Sequence, residues 1–398
     1  MIPRAQKQAR GRRVVILGGA GAMGRIIARD LATTGRGAVE PIIADRDLGP
    51  ARELGVETRR VDVTDPTSLA RAVRGAAVVI ASLPYRFNLL AMDATLEARA
   101  SYIDLGGLFH VTKQQLRRAK AFRSANVTAL LGMGSAPGII NVLAARAALG
   151  LDRVREVHCM VGAIDRTPYR RASLLPFGYA PDTLLDEFAK PSAVYRAGRL
   201  QMVAPLDPRE RLRVRFPAPV GPQWIHTTLH SEVATLPAFF ADRGIREVTF
   251  RQTFDEAFAQ KLEWLVQLGL VDTVPLKAAA GAAPRDILLA LLRKQPAAEP
   301  IGPADRYEIL RVEVRGEIGG RPVTVIAECH ADQDSGDGVG PDIDTGAPPS
   351  IAAQLLVSGE MESRPGVWAP EQLVPYEPFA RELERRKMSV RITRRTER

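Results

Sequence analysis

Residues 14–24, Val-Val-Ile-Leu-Gly-Gly-Ala-Gly-Ala-Met-Gly, run a short apolar strand into Gly19-x-Gly21-x-x-Gly24. Glycines at that spacing can cradle a pyrophosphate. Gly19 permits a tight turn, Gly21 lets backbone approach the phosphates, and Gly24 lets the next helix pack close to its strand. That helix opens at Ala22 and Met23, where free N–H groups and the positive end of the helix dipole meet an anion. Asp45 ends the next apolar strand, 21 residues beyond Gly24. A carboxylate there can take the hydroxyls of an adenosine ribose and repel a 2′-phosphate, which favours NAD. Arg46 beside it can accept that phosphate, so NADP stays open. A helix cap is the alternative role for Asp45.

The reacting end of such a cofactor would meet the other strand ends, because ligands of a doubly wound sheet bind beyond the carboxyl ends of its strands. Those ends are Asp62-Val63, Leu83-Pro84-Tyr85, Asp104-Leu105-Gly106-Gly107 and Met133–Gly138. Asp62 either caps its loop or, with Val63, flanks an adenine. Leu83 and Pro84 stand where a nicotinamide ring would lie, with Tyr85 next to it, although Pro84-Tyr85 also suits a plain turn. Asp104 is either a general base or the cap of the following turn. Gly106 and Gly107 permit close backbone approach to a ligand. Gly134-Ser135 hints at a hydrolase elbow, but Pro137 occupies the position where that motif needs glycine.

The elements that position these loops alternate between strand and helix through the first 150 residues, the pattern of a parallel sheet covered on both faces. Strands are predicted at 39–44, up to Val61-Asp62-Val63, at 78–81, 102–104 and 127–131, and a helix over 112–125. After that the pattern changes. Residues 153–164 alternate as a strand, 165–222 read as Pro-rich and irregular, and 306–330 read as an antiparallel hairpin turning at Gly319-Gly320. The acids Asp332, Asp334, Asp337, Asp342 and Asp344 lack the bidentate Glu of a calcium loop and read as a solvated connection. A helix is expected at 350–359.

Composition bounds the rest. A chain of 398 residues calls for two domains, and 46% hydrophobic with 25% charged residues is an ordinary globular balance. No window approaches the ~18 apolar residues of a membrane span, and the basic first 13 residues lead into a glycine-bearing strand, not a signal peptide. The cytoplasm is the expected location. A net charge of +10 invites nucleic acid, but only eight of the 55 basic residues are Lys and the Arg residues are interspersed with acids, which argues against it. Cys159 and Cys329 read as buried thiols, and the five His show no metal spacing.

Several spellings resemble the saccharopine dehydrogenase-like family. They are the glycine loop, Val61-Asp62-Val63-Thr64-Asp65, Ser82-Leu83-Pro84-Tyr85-x-Phe87-Asn88, Asp104–Gly107 and Gly134-Ser135-Ala136-Pro137-Gly138-Ile139-Ile140-Asn141. The resemblance resumes at Leu184–Phe188, at His230-Ser231-Glu232-x-x-Thr235-Leu236-Pro237 and at Gly366–Gln372, and is greatest to the L-lysine 6-dehydrogenase branch. It implies an α/β fold: a Rossmann doubly wound parallel sheet (1–140), a second α/β domain with a mixed sheet for substrate and dimerisation (141–345), and a C-terminal segment returning to the first (346–398). A homodimer or higher homo-oligomer follows from the same resemblance.

The implied chemistry is NAD(P)-dependent oxidation at a carbon–nitrogen bond, in this branch at the lysine ε-amine. Tyr85, Asp104 and His230 are the candidate bases, and Asn88, Gly106, Gly107, Pro137 and Asn141 the substrate contacts. Leu105 joins the cofactor contacts, and Arg170 and Arg171 are candidates for an α-carboxylate. A base is needed because an amine of pKa ~10.4 costs ~4.6 kcal/mol to deprotonate at pH 7. Two spellings depart from the branch. His226-Thr227-Thr228-x-His230 is closer to the saccharopine dehydrogenase version, and Gly132 stands where an acid can occur. Saccharopine dehydrogenase or a related imine or carboxyalkyl-amine reductase is therefore the alternative enzyme. A non-catalytic NAD-binding adaptor is the alternative from another class.

Overall fold

The computed structural model describes residues 11–35, 37–177, 179–296, 298–332 and 342–396. Its first strand, β1 (Arg12–Leu17), buries Val14 through Leu17 completely, as a parallel strand covered on both faces must. The chain continues through α1 (Ala22–Thr34), β2 (Val39–Asp45), β3 (Glu57–Arg60), α2 (Pro66–Val73), β4 (Val78–Ala81) and α3 (Asn88–Glu97). Then come β5 (Ser101–Asp104), α4 (Leu108–Leu116), α5 (Ala119–Ser124) and β6 (Thr128–Leu130). These strands pair in parallel in the order β6-β5-β4-β1-β2-β3. The order reverses between β1 and β4, so the loops after those two strands open a crevice.

After α6 (Ile139–Ala147) a second, mixed sheet begins with β7 (Arg153–Asp165). The stretch expected to be irregular is in fact structured. It holds β8 (Tyr169–Arg171), α7 (Pro181–Ala189), β9 (Ser192–Arg196), β10 (Arg199–Val203) and β11 (Leu212–Arg215). Its prolines sit at turns and at the first position of α7, where a missing N–H costs nothing. Next are β12 (Pro222–Thr227), α8 (Glu232–Phe239), β13 (Glu247–Thr253), α9 (Glu256–Gln267), α10 (Pro284–Arg293) and β14 (Glu299–Pro300). The predicted hairpin is β15 (Arg306–Ile318) and β16 (Arg321–Asp332), whose turn glycines have φ of 57° and 76°. β13 runs parallel to β7, and β15 pairs antiparallel with both β7 and β16. Cys159, Phe250, Val312 and Ala327 are register neighbours on one buried face of this sheet.

Other boundaries differ from the sequence reading. The strand expected to end at Val63 stops at Arg60, because Asp62 turns the chain by accepting from Thr64 N at 2.9 Å and Thr64 Oγ1 at 2.7 Å. The helix expected over 112–125 breaks into α4 and α5. The helix expected from 350 begins earlier, as α11 (Ile343–Ser358), with Pro348 and Pro349 inside it. Asp334 and Asp337 of the acidic connection lie outside the described residues. Among the described residues no helix is long and apolar enough to cross a membrane.

The C-terminal chain divides between the two sheets. β17 (Gly366–Trp368) adds a seventh, parallel strand beside β6, then α12 (Pro370–Leu373) and α13 (Tyr376–Arg385) follow. β18 (Met388–Thr396) pairs antiparallel with β16 instead, so the final strand belongs to the second sheet and not the first. α11 lies directly on α1: a Cβ on Gly346 would stand 2.5 Å from Ile26 Cγ2. Arg386 then grips Asp30 of α1 through two 2.8 Å bonds, both side chains being at most 5% exposed. Removing one partner strands the other charge in the interior. Arg386→Ala should therefore lower stability by ~3–5 kcal/mol, read from the urea midpoint.

Candidate active site

The glycine loop divides by what its neighbours require. Gly18 has φ +74°, and a Cβ there would meet Ser82 O at 2.2 Å; a Cβ on Gly24 would meet Gly18 O at 2.3 Å. Gly19 is likewise packed against Ile16 and Ile43. Gly21 differs: within 4 Å its Cβ would meet only Gly18 O, at 3.2 Å, so the protein leaves open the side where a ligand approaches. α1 starts there with no side-chain cap and no acid in its first turn, which leaves its N–H groups for an anion. Asp45 accepts from Ala20 N at 3.0 Å, which places its carboxylate against the loop beside Arg46. These residues fit a dinucleotide. Asp62 caps its own turn through Thr64, and Leu83 contacts the loop from the end of β4.

Asp104, expected as a candidate base, is fully buried and surrounded by donors. Its Oδ1 accepts from Gly132 N (2.7 Å) and Gly106 N (3.0 Å), and its Oδ2 from Gln115 Nε2 (2.5 Å), Tyr102 Oη (3.0 Å) and Asn88 Nδ2 (3.3 Å). Burial pushes its pKa up against the pull of those donors. With no lone pair free to take a substrate proton, it is a positioning group, and the cap alternative is the one its geometry supports. Gly106 and Gly107 are explained the same way. A Cβ on Gly106 would meet Pro137 Cγ at 2.9 Å and one on Gly107 would meet Gln115 Oε1 at 2.6 Å, so packing within the protein excludes side chains here. Gly132, at φ +65°, is likewise pressed by Pro137 at 2.8 Å. Leu105 sits between these loops. Asn88 also donates to Gly106 O at 3.0 Å, and Asn141 accepts from Gly138 N at 3.1 Å while donating to Glu371 at 2.9 Å. Both amides hold loops, and only Asn88 Oδ1 is left without a partner.

Tyr85, the second candidate base, is spoken for. Its hydroxyl donates to Asp186 of α7, and the same carboxylate takes Lys190 Nζ at 2.9 Å and Arg285 Nη1 at 2.7 Å. Burial, and then the bond to Asp186, hold the phenol well above its ordinary pKa, so it stays protonated. Pro84 directs Tyr85 and Arg86 outward, where Arg86 pairs with Asp182 at 2.9 Å. The end of β4 is thus clamped to the second domain. Arg170 and Arg171 do not reach the site; both pair with Glu299 on the surface.

His230 is the remaining candidate, and its surroundings suit proton transfer. The ring lies flat on Phe250, with centroids 3.7 Å apart and an interplanar angle of 8°, and Nδ1 is 2.6 Å from Glu232 Oε2. Glu232 thereby occupies Nδ1, and Nε2 is the ring nitrogen left over. Burial pulls its pKa down, but the charge and hydrogen bond of Glu232 and the charge of Glu187 outweigh this and hold it above 6.5. The next residue, Ser231, sits 3.5 Å from where a Gly106 Cβ would be, so the His230–Glu232 turn lies over the end of β5.

The sequence reading missed the buried acids around it. Glu187 accepts from Gln252 Nε2 (2.6 Å) and Tyr179 Oη (2.7 Å), and Glu371 from Asn141. Burial pushes both to about 7, helped by the charge of Glu232. A signal existed: Asp186-Glu187 interrupts the apolar run Leu184–Phe188, where two acids would otherwise be out of place.

Both halves of the chain match known family models. Residues 14–130 match the family described as saccharopine dehydrogenase NADP binding domain, and residues 134–388 match the saccharopine dehydrogenase C-terminal domain. A carboxynorspermidine synthase of Vibrio cholerae is 25% identical over 91% of this chain and 92% of its own. A carboxyaminopropylagmatine dehydrogenase of Synechocystis sp. is 24% identical over 93% of this chain and 94% of its own. In fold the chain resembles the apo saccharopine dehydrogenase (L-Glu forming) of Saccharomyces cerevisiae, with a TM-score of 0.69 at 16% identity over 97% of this chain and 100% of that one.

Two outcomes separate the roles assigned above. Gly21→Ala should fold normally and weaken NAD(P)H binding roughly tenfold or more, whereas Gly18→Ala should not give folded protein; fluorescence titration and a thermal melt read the pair. Asp104→Asn turns a donor amide toward existing donors and should cost about 2–4 kcal/mol of stability. The pH profile of the protein that remains folded should not move.

Proposed function

The chain belongs to the saccharopine dehydrogenase family and is an NAD(P)-dependent oxidoreductase of that type. We propose that it joins a primary amine to a carbonyl carbon and reduces the resulting imine, giving a carboxylated secondary amine of polyamine type. The observation that carries this reading is the His230–Glu232 pair, buried against Phe250 and set over the strand ends. The names of the two curated relatives support the amine class. A carboxylated triamine disconnects at its secondary nitrogen into a diamine and an amino-acid semialdehyde. Neither name refers to oxidation of lysine itself, the activity implied by the sequence resemblance, and we do not adopt it.

The bonds balance as follows. The alkylammonium gives up a proton, its nitrogen attacks the carbonyl carbon, and the carbinolamine loses water to leave a protonated imine. A nicotinamide cofactor held by the glycine loop would supply the hydride to the imine carbon, leaving a secondary amine whose nitrogen takes up one proton. His230 Nε2 is suited to accept the first proton and to return one to the departing hydroxyl, as a general base and then a general acid. Glu232 fixes the ring through Nδ1 and stabilises the imidazolium. Phe250 and the surrounding core exclude water, which strengthens both effects. Pro84, Leu105 and the glycine loop would hold the cofactor along the crevice, and Asp104 keeps the loop beneath the imine carbon in shape.

A semialdehyde mixed with a short diamine and NADPH or NADH should oxidise the cofactor; no oxidation with any amine–carbonyl pair would overturn the proposal. His230→Ala should lower kcat by roughly 10²–10⁴-fold. His230 must enter the coupling neutral to accept the ammonium proton, so its raised pKa sets the sign of the pH dependence: with the ring held protonated to above 6.5, coupling should be slow at low pH and quicken as pH rises through the folded value. A wild-type profile without that rise, or the same rise kept in His230→Ala, would rule out His230 as the base.

A further inference from the structure

Glu187, Glu232 and Glu371 come from α7, α8 and α12, three elements far apart in the chain, and are 0%, 0% and 7% exposed. Each spends Oε2 on a partner within the protein: Gln252 and Tyr179 for Glu187, His230 for Glu232, and Asn141 for Glu371. Glu187 and Glu232 leave Oε1 shielded from water without a hydrogen-bond partner, while Glu371 also has the Thr235 hydroxyl beside its carboxylate. Two orphaned carboxylate oxygens near a third buried acid are outside the usual satisfaction of buried polar groups, and such groups ask for a donor that the protein does not provide.

The nature of that donor follows from spacing and charge. Glu232 is close enough to act on both Glu187 and Glu371, yet among the described residues no three acidic, His or Cys groups converge as a metal ion requires. Glu232 is the acid that acts on both of the others. In a chain with 55 Lys and Arg, the groups acting most strongly on Glu187 and Glu371 include none of either type. An organic cation with several N–H donors fits three such acids.

We propose that these three glutamates form a subsite for the distal ammonium of a diamine, whose other nitrogen lies at His230. The inference rests on the amine-joining reading above and adds to it the residues that select a dication. Glu232 serves both halves: Oε2 orients His230 and Oε1 faces the ammonium. Glu371 brings the C-terminal segment into substrate recognition, and Glu187 brings in the helix that already clamps Tyr85 through Asp186.

The test uses the full-length protein with NADP+ bound, titrated by calorimetry with 1,3-diaminopropane and with n-propylamine, which has the same carbon chain and no second ammonium. Wild type should prefer the diamine by roughly tenfold or more, and Glu371→Gln and Glu187→Gln should each bring the ratio towards one. NADP+ affinity, unchanged in both variants, reports that the fold is intact. Equal affinity for the two amines in wild type would overturn the subsite without recourse to any variant, as would a preference that survives both substitutions. Turnover in coupling assays separates the two proposals. A diamine preference without turnover leaves the subsite standing and removes the reaction, whereas turnover with no preference does the reverse.

Discussion

The cleft takes its shape from one buried carboxylate. Asp104 ends β5 and collects five donors, two from the backbone at Gly106 and Gly132 and three from the side chains of Asn88, Tyr102 and Gln115. A charge so far from water is tolerable only when its lone pairs are met, so the demand runs both ways. The carboxylate needs the loops, and the loops after β5 and β6 are pinned where the carboxylate can reach them. Pro137 then fills the space between Gly106 and Gly132, which no other residue type at those positions would leave open. The surface offered to a substrate is rigid because its foundation is electrostatic and enclosed.

Charge is divided unevenly over this protein. The chain as a whole is strongly positive, while the interior between the two sheets carries Glu187, Glu232 and Glu371 with His230 among them. Carboxylates in such a place raise one another's pKa and weaken the fold unless something positive joins them. The second domain meets the first through a different kind of contact. Tyr85, Lys190 and Arg285 all converge on Asp186, so the end of β4 is tied to α7 by a neutralised cluster. Acid left unpaired on one side of α7 and acid fully paired on the other come from adjacent residues, Glu187 and Asp186. Adjacent positions on a helix point about 100° apart, so one turn can serve both purposes.

The Rossmann half was legible because its signals are local. The glycine spacing, the apolar strands and Asp45 sit within a few dozen residues of one another, and periodicity distinguishes strand from helix. What periodicity does not reveal is whether an acid at a strand end, such as Asp104, faces solvent, substrate or five donors. Glu187 and Glu371 stayed hidden because their partners, Gln252 and Asn141, are distant in sequence. The region 165–222 was misread because proline marks both irregular chain and the first turn of a helix, as at Pro181. The last strand was misassigned because an edge strand rich in Arg carries no mark of the sheet it joins.

The path of residues 366–396 through both sheets has a bearing on how the protein is made. β17 completes the first sheet, Arg386 fastens α13 to α1, and β18 closes the edge of the second sheet, all within one segment that is synthesised after the elements it closes. Domains generally fold in the order of synthesis, at ~5–20 residues per second. Until that stretch emerges, β6 and β16 present open edges to other chains. Closure of both sheets is therefore tied to synthesis through this one segment, and a chain halted before residue 366 would be an aggregation hazard and not a slower enzyme.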